Sequence, residues 1–325
     1  MRSRHRPALA STIAALLCAA PATAAVEPGV CIAVSGAEHR AVADAAQRAL
    51  GLPARRVDVS RGEAVATLGT PPRERPGSSE GNLVSSGPPR ARRPNAELAT
   101  SCGRLIIAVG PEALGAAEAS APGSHIVPVM AESGPGGAGP GVLPGVDPRR
   151  VLETLKQIAP RVRRIGAVFD PARTGELMDE ARAAARAQGV ELVALPVRSV
   201  GEAVRAFHRF EGELRVDALW ILPDGTATVQ ETVYYALELA HWRRMIVIGI
   251  SPWYVASGAL FALSPRPESY GAAAGELGRQ VLRGTPPAGP VHAREYALYV
   301  NTRAATRLQL EIPRSLLERA EQVLP

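Results

Sequence analysis

From residue 164 onward the chain alternates short, nearly continuous apolar runs with amphipathic stretches, four times in succession. The runs 164–169 (RIGAVF), 192–197, 218–222 (ALWIL) and 245–250 (MIVIGI) are separated by helical patterns at 174–188, 200–210 and 227–242, and a further run, 259–263, follows. A strand with one wet face alternates apolar and polar residues. Strands that are apolar throughout are buried on both faces, which predicts a parallel sheet with helices on each side. The preceding part has the same grammar in shorter form: strands 30–34, 56–59, 104–109 and 125–130, with helices 38–50, 111–119 and 148–159. The expected class is therefore α/β, with two doubly wound parallel-sheet, Rossmann-like lobes at 25–159 and 160–267. A helix at 268–283 is expected to pack back on the first lobe, and 290–325 to return to the second with a strand at 295–300 and a terminal helical pair. Several crossings make a hinge, and the C-terminal ends of both sets of strands would line the cleft between lobes.

The 325 residues suit two domains. A formal charge of +6 and a pI near 9.7 invite a nucleic-acid or membrane reading, so the location of the charge matters. Arg2, Arg4 and Arg6 precede an apolar run, 8–17, and the small residues Ala22-Thr23-Ala24. That order predicts a signal peptide, 1–24, cleaved near Ala24, and an exported, periplasmic protein. Cys18 follows Leu17 rather than a small residue, which disfavours a lipoprotein. Losing three Arg leaves +3, and residues 70–95 carry five Arg against two Glu. This Pro-, Gly- and Ser-rich stretch has no apolar period and reads as a disordered insertion. The folded remainder is then near neutral and no nucleic-acid partner is expected; an Arg-rich loop touching anionic headgroups is a lesser alternative to a solvated loop.

Two cysteines remain after cleavage, Cys31 and Cys102, and an oxidising compartment permits either a disulfide or two buried thiols. The six His are scattered, so no metal site is expected. P-loop and HExxH signatures are absent and no GxGxxG opens a helix after a strand, so neither enzyme activity nor a cofactor is expected.

The candidate binding residues follow the strands. Asp170, Arg173 and Thr174 come after the run 164–169: Asp170 can turn the chain and Thr174 can cap the next helix, while Arg173 and the helix start can receive an anionic group. Asp224 and Thr226 come after 218–222, where Asp224 could accept an ammonium or hydroxyl. Ser251, Trp253 and Tyr254 come after 245–250. One aromatic could wall a pocket for a flat ligand; alternatively Trp253 packs on the core and Tyr254 faces solvent. In the first lobe the equivalent places hold Ser35, Gly110 and Glu132.

The run RRIGAVFDPARTGELMDEARAAARAQGVELVALPV resembles the second lobe of the ABC transporter substrate-binding proteins of the type with tryptophan- and tyrosine-binding members. VDALWILPDGTAT, SGALFAL, SYGAAAGELGRQVLRGTPP and the tail YALYVNTRAATRLQLEIPRSLLERAEQVL extend the resemblance over 140–325. It implies a type I periplasmic binding-protein fold, a monomer that captures a small solute, and an ABC permease as partner. Where the family usually has Asn-Pro-Ser-Glu this chain has Asp170-Pro171-Ala172-Arg173, and Arg266-Pro267-Glu268 stands where Asp-Tyr-Tyr is frequent, which adds Arg266 to the candidates. The solute is therefore left open. A ligand-sensing adaptor on the same fold, docking a membrane sensor instead of a permease, is the alternative function.

Overall fold

The computed structural model describes residues 29–61, 94–131 and 139–325. The expected signal peptide, residues 70–93 of the expected insertion, and Glu132 lie outside the described residues.

The first lobe is built on β1 (Val30–Val34), β2 (Arg55–Asp58), β3 (Leu105–Val109) and β4 (His125–Val129), all parallel in the order β2-β1-β3-β4. Alternate residues of β1 and β3 face opposite layers. Ile32 and Ile107 pack with α1 (Arg40–Leu50), whereas Ala33, Ile106 and Ala108 pack with α2 (Ala96–Ser101) and α3 (Pro111–Ser120). Both layers are apolar, which is why these strands show no polar alternation. Cys31 and Cys102 are bridged, with Cα atoms 5.7 Å apart across a sequence separation of 71. The bond ties β1 to the C-cap of α2.

After α4 (Pro148–Ile158) the second lobe adds β5 (Arg164–Phe169), α5 (Pro171–Ala187), β6 (Glu191–Pro196), α6 (Val200–Gly212), β7 (Ala218–Trp220), α7 (Gln230–Arg243), β8 (Ile246–Gly249), α8 (Pro252–Ala256) and β9 (Phe261–Pro265). Helix α9 (Pro267–Leu282) then leaves for the first lobe. The chain returns as β10 (Tyr296–Asn301), α10 (Thr302–Arg307), α11 (Arg314–Arg319) and β11 (Gln322–Leu324). The seven strands run β11-β10-β9-β8-β7-β5-β6. One pairing departs from the all-parallel expectation: β10 lies antiparallel to β9. Its chain arrives from the other lobe instead of through a crossover helix on the same sheet, so the usual parallel βαβ connection does not apply. Helices α4 and α5 cover one face, joined by Ala304, Ala305 and Leu316 of the C-terminal helices. Helices α6 and α7 and Tyr254 of α8 cover the other.

Helix α9 packs against α1 at backbone contact distance. A Cβ on Gly271 would lie 2.3 Å from the Val42 carbonyl oxygen, and one on Gly275 would lie 2.6 Å from that of Ala46. No side chain fits there, so both positions need glycine. Val142 and Val291 extend the first sheet beside Val129. The chain thus crosses between lobes after β4, after β9 and after α9. At the first crossing the Gly145 N–H donates to the Tyr270 hydroxyl at 2.8 Å, and burial pushes the Tyr270 phenol well above its ordinary pKa. Among the described residues no helix is long and apolar enough to cross a membrane.

Candidate functional site

The loops after β5, β7 and β8 lie together at the C-terminal edge of the second sheet, because those strands sit near one another in the order β8-β7-β5. The first crossing passes beside them: a Cβ on Gly145 would meet the Pro223 ring at 3.2 Å.

Asp224 joins two of these loops. Its side chain is fully buried, and four donors surround it. Oδ2 accepts from the Asp170 N–H at 2.7 Å and the Thr174 hydroxyl at 2.6 Å. Oδ1 accepts from the N–H groups of Thr226 at 2.9 Å and Ala227 at 2.7 Å. A carboxylate offers about four lone-pair sites, so this one is saturated by its own chain. The geometry therefore gives Asp224 a different task from the expected acceptance of a ligand's ammonium or hydroxyl: it fixes the two loops. Thr174 is likewise occupied, buried and donating to Asp224. It does not cap α5. The N-cap is Asp170, whose Oδ1 accepts from the Ala172 N–H at 3.0 Å, and Thr174 sits at a non-helical kink inside the helix. Pro171 at the first helical position explains the earlier start, since its fixed φ suits a helix N-terminus. Thr226 donates to Asp170 Oδ2 at 2.8 Å, which closes the network.

Arg173 stands at the rim of this network. Its Nε lies 3.9 Å from Asp170 Oδ2, and its guanidinium covers Gly225, where a Cβ would come within 2.8 Å of Nη1. On the loop after β8 the buried Ser251 hydroxyl has no hydrogen-bond partner among the described residues. The two aromatics take the reverse of the packing alternative described above. Tyr254 is 1% exposed in the lobe core, and burial pushes its phenol up to about 12. Trp253 is the half-buried one, with its ring centroid 5.1 Å from that of Tyr254 and 5.6 Å from that of Tyr234. The short helix α8 causes this, because it turns consecutive side chains about 100° apart. Arg266, exposed at the second crossing, pairs with Glu321 at 2.7 Å.

In the first lobe Ser35 and Gly110 end β1 and β3, neighbouring strands. A Cβ on Gly110 would meet His39 Cε1 at 2.8 Å and Ser35 Oγ at 2.9 Å, and Gly110 adopts φ +90°. His39 Nδ1 lies 2.6 Å from the Ser35 carbonyl oxygen, which can only accept, so Nδ1 is the donor of this bond. His39 and Tyr234 were not among the expected site residues. A histidine four residues beyond a strand-end serine was the available signal for the first; nothing local distinguishes Tyr234 from other tyrosines. Among the described residues no cluster of His, Cys, Asp or Glu could hold a metal.

Residues 124–324 match the family model described as ABC transporter substrate binding protein. No curated protein sequence matches the chain. Among solved structures it is similar to a conserved domain protein from Vibrio cholerae, at 18% identity and TM-score 0.57, covering 90% of this chain and 99% of that one. It is also similar to an ABC domain from Streptococcus pneumonia solved in complex with L-tryptophan, at 18% identity and TM-score 0.55, covering 91% and 100%. A ligand-free, open substrate binding protein with adhesive properties from Clostridium difficile aligns at 18% identity and TM-score 0.53, covering 91% and 99%. At such identities the likeness is one of fold, the type I periplasmic binding-protein fold with its parallel-sheet lobes. The family model, in contrast, spans well over half of this sequence, and on that match the chain belongs to the ABC transporter substrate-binding protein family.

Proposed function

We propose that the protein is the solute-capturing component of an ABC importer, exported to the periplasm, acting as a monomer and closing its two lobes on one small molecule. The observation that carries this is the contrast between Asp224 and Ser251. Asp224 is consumed in holding the loops, whereas the Ser251 hydroxyl is buried without a partner at the same strand edge. A buried, unpaired hydroxyl costs about 1–3 kcal/mol, which a ligand hydrogen bond would recover. The loop after β5 contributes the Arg173 guanidinium for an acidic group, and Trp253, on the same loop as Ser251, contributes a ring face. The solute class this favours is a small organic acid with a flat apolar portion. The relative solved with L-tryptophan supports placing aromatic amino acids in the first panel.

Closure follows from differential affinity. A solute that touches Ser35, His39 and Gly110 as well as the second-lobe loops binds the closed form more tightly than the open one, and shifts the population accordingly. The three crossings supply the hinge, and the closed form is what a permease would read.

A thermal-unfolding screen against amino acids, organic anions and sugars tests the proposal. The right solute stabilises the protein by about 2.7 kcal/mol at roughly a hundredfold excess over Kd. The stabilisation falls in Ser251→Ala and Trp253→Ala, and X-ray scattering reports compaction with solute. A broad panel in which nothing stabilises the protein or alters its scattering sinks the reading. Co-purification with a permease supports the importer, while co-purification with a membrane sensor points to an adaptor role.

A further inference from the structure

The edge of the second sheet opposite the cleft loops carries charge that the fold does not use. The N–H of Glu191 bonds the Arg163 carbonyl at 2.8 Å, that of Asp217 bonds Arg164 at 2.9 Å, and that of Ile246 bonds Asp217 at 3.0 Å. These bonds align the N-terminal ends of β6, β5, β7 and β8 side by side. Four strands at about 4.8 Å spacing make an edge roughly 15 Å wide.

Arg161 and Arg163 precede β5 on this edge, Arg186 precedes β6, Arg215 precedes β7 and Arg244 precedes β8. All five are exposed, and their side chains make no ion pair or hydrogen bond among the described residues. The neighbouring carboxylates are engaged already. Glu191 pairs with Arg164 at 2.9 Å, and Glu211 lies 2.8 Å from His208 and 3.7 Å from Arg243. Asp217 accepts from the backbone N–H groups of Arg163 and Arg164 at 2.7 and 2.9 Å. Lys156, the only lysine of the chain, joins Arg161, Arg163, Arg164 and Arg186 around a depression of about 1100 Å³. At the other end of the edge stands Trp242, 76% exposed and flanked by His241 and Arg243.

Like charges gathered along one edge repel one another, and salt screens that repulsion only over a Debye length of about 8 Å. An external anion relieves the repulsion. Lys156, Arg161, Arg163 and Arg186 line the depression, and Arg215 and Arg244 carry the charge on along the edge before β7 and β8, which suits an extended anionic surface better than a single small anion. Trp242 adds what a headgroup layer takes best, an amphipathic ring beside arginines. We propose that this edge of the second lobe is a peripheral docking surface for a bilayer containing anionic phospholipid. The docked protein would rest with its cleft loops directed away from the lipid, an orientation distinct from the one in which a permease would read the closed form. The inference is independent of which solute the cleft takes.

The test is co-sedimentation of the full chain with phosphatidylcholine vesicles, with and without phosphatidylglycerol, at low and high salt. Residues 1–24 are common to the wild type and every variant, so the comparison between variants removes the contribution of Arg2, Arg4, Arg6 and the apolar run 8–17. Phosphatidylglycerol-dependent binding that weakens with salt is expected. At about 1 kcal/mol per basic residue near an anionic surface, the triple variant Arg161→Gln/Arg163→Gln/Arg186→Gln should bind roughly a hundredfold more weakly. Trp242→Ala should bind more weakly by a smaller factor, and the wild-type Trp emission should shift to the blue on vesicles. A second triple variant, Arg90→Gln/Arg92→Gln/Arg93→Gln, removes the same charge elsewhere and should keep nearly all binding. Unchanged melting temperatures establish that each variant folds. The proposal is overturned if phosphatidylglycerol adds no binding, if the two triple variants lose equally, or if the protein binds an acidic polypeptide but not the vesicles.

Discussion

The two edges of the seven-stranded sheet treat charge in opposite ways. At the C-terminal edge Asp224 is buried and meets four donors of its own chain. At the N-terminal edge five arginines stand in solvent without a partner among the described residues. A buried carboxylate must be satisfied within the fold, because its desolvation is otherwise costly. An exposed guanidinium has no such requirement, so its pairing can be left to something outside the molecule. The first arrangement builds a rigid site; the second advertises a surface.

Asp224→Ala probes the contrast with the largest effect. It leaves buried donors on two loops unpaired and should cost about 4–5 kcal/mol in chemical denaturation. Asp224→Asn keeps the shape and turns an amide toward one pair of donors, so it should recover part of that loss. A cost below about 1 kcal/mol for the alanine variant would break the comparison, since Asp224 would then not be holding the loops. The corresponding constraint in the first lobe is covalent. Reducing the Cys31–Cys102 bond should cost about 2–4 kcal/mol, read as a lower melting temperature with dithiothreitol.

Tyr254, packed under Trp253, gives an alkaline signature of the cleft edge. Its folded-state pKa, about 12, lies above the ordinary phenol value of 10.0, so the folded form holds its proton after the unfolded chain has lost it. Stability from this group is complete below pH 10 and falls between about pH 10 and 12, by roughly 2–3 kcal/mol in all. Tyr254→Phe should flatten that part of the fall; an unchanged curve would show that the phenol ionises without penalty. The smallest effect belongs to the opposite edge. The triple variant of Arg161, Arg163 and Arg186 should change stability by less than about 0.5 kcal/mol, because none of the three is paired within the fold. A large loss there would show that these arginines are structural after all.

Much of the fold was legible because each strand's burial is written in its composition. The run Ile165–Phe169 could only be a doubly covered strand, and the β-α alternation around it left few topologies. The antiparallel strand β10 was not legible, since its direction depends on a return from the other lobe. The site was legible as positions rather than roles. Asp170, Thr174, Asp224 and Thr226 do come together, but which of them faces inward depends on hydrogen bonds across more than fifty residues, such as Asp170 to Asp224. Trp253 and Tyr254 exchanged places relative to the packing alternative because five residues of helix reorient them. Glu132 lies outside the described residues, and Arg266 is paired with Glu321 at a crossing.

The sequence by itself determined the class of fold, the resemblance to a substrate-binding family and the strand ends that carry the candidate site residues. Those follow from local periodicity and motif, which need no knowledge of distant neighbours. Its charge totals placed the excess in residues 1–24 and 70–95 and described the remainder as neutral. Only the tertiary structure decided that the cysteines are joined, that Asp224 is spent on its own loops, and that a nearly neutral body gathers unpaired arginines at one edge. A sum over residues discards position, and electrostatic energy depends on position above all.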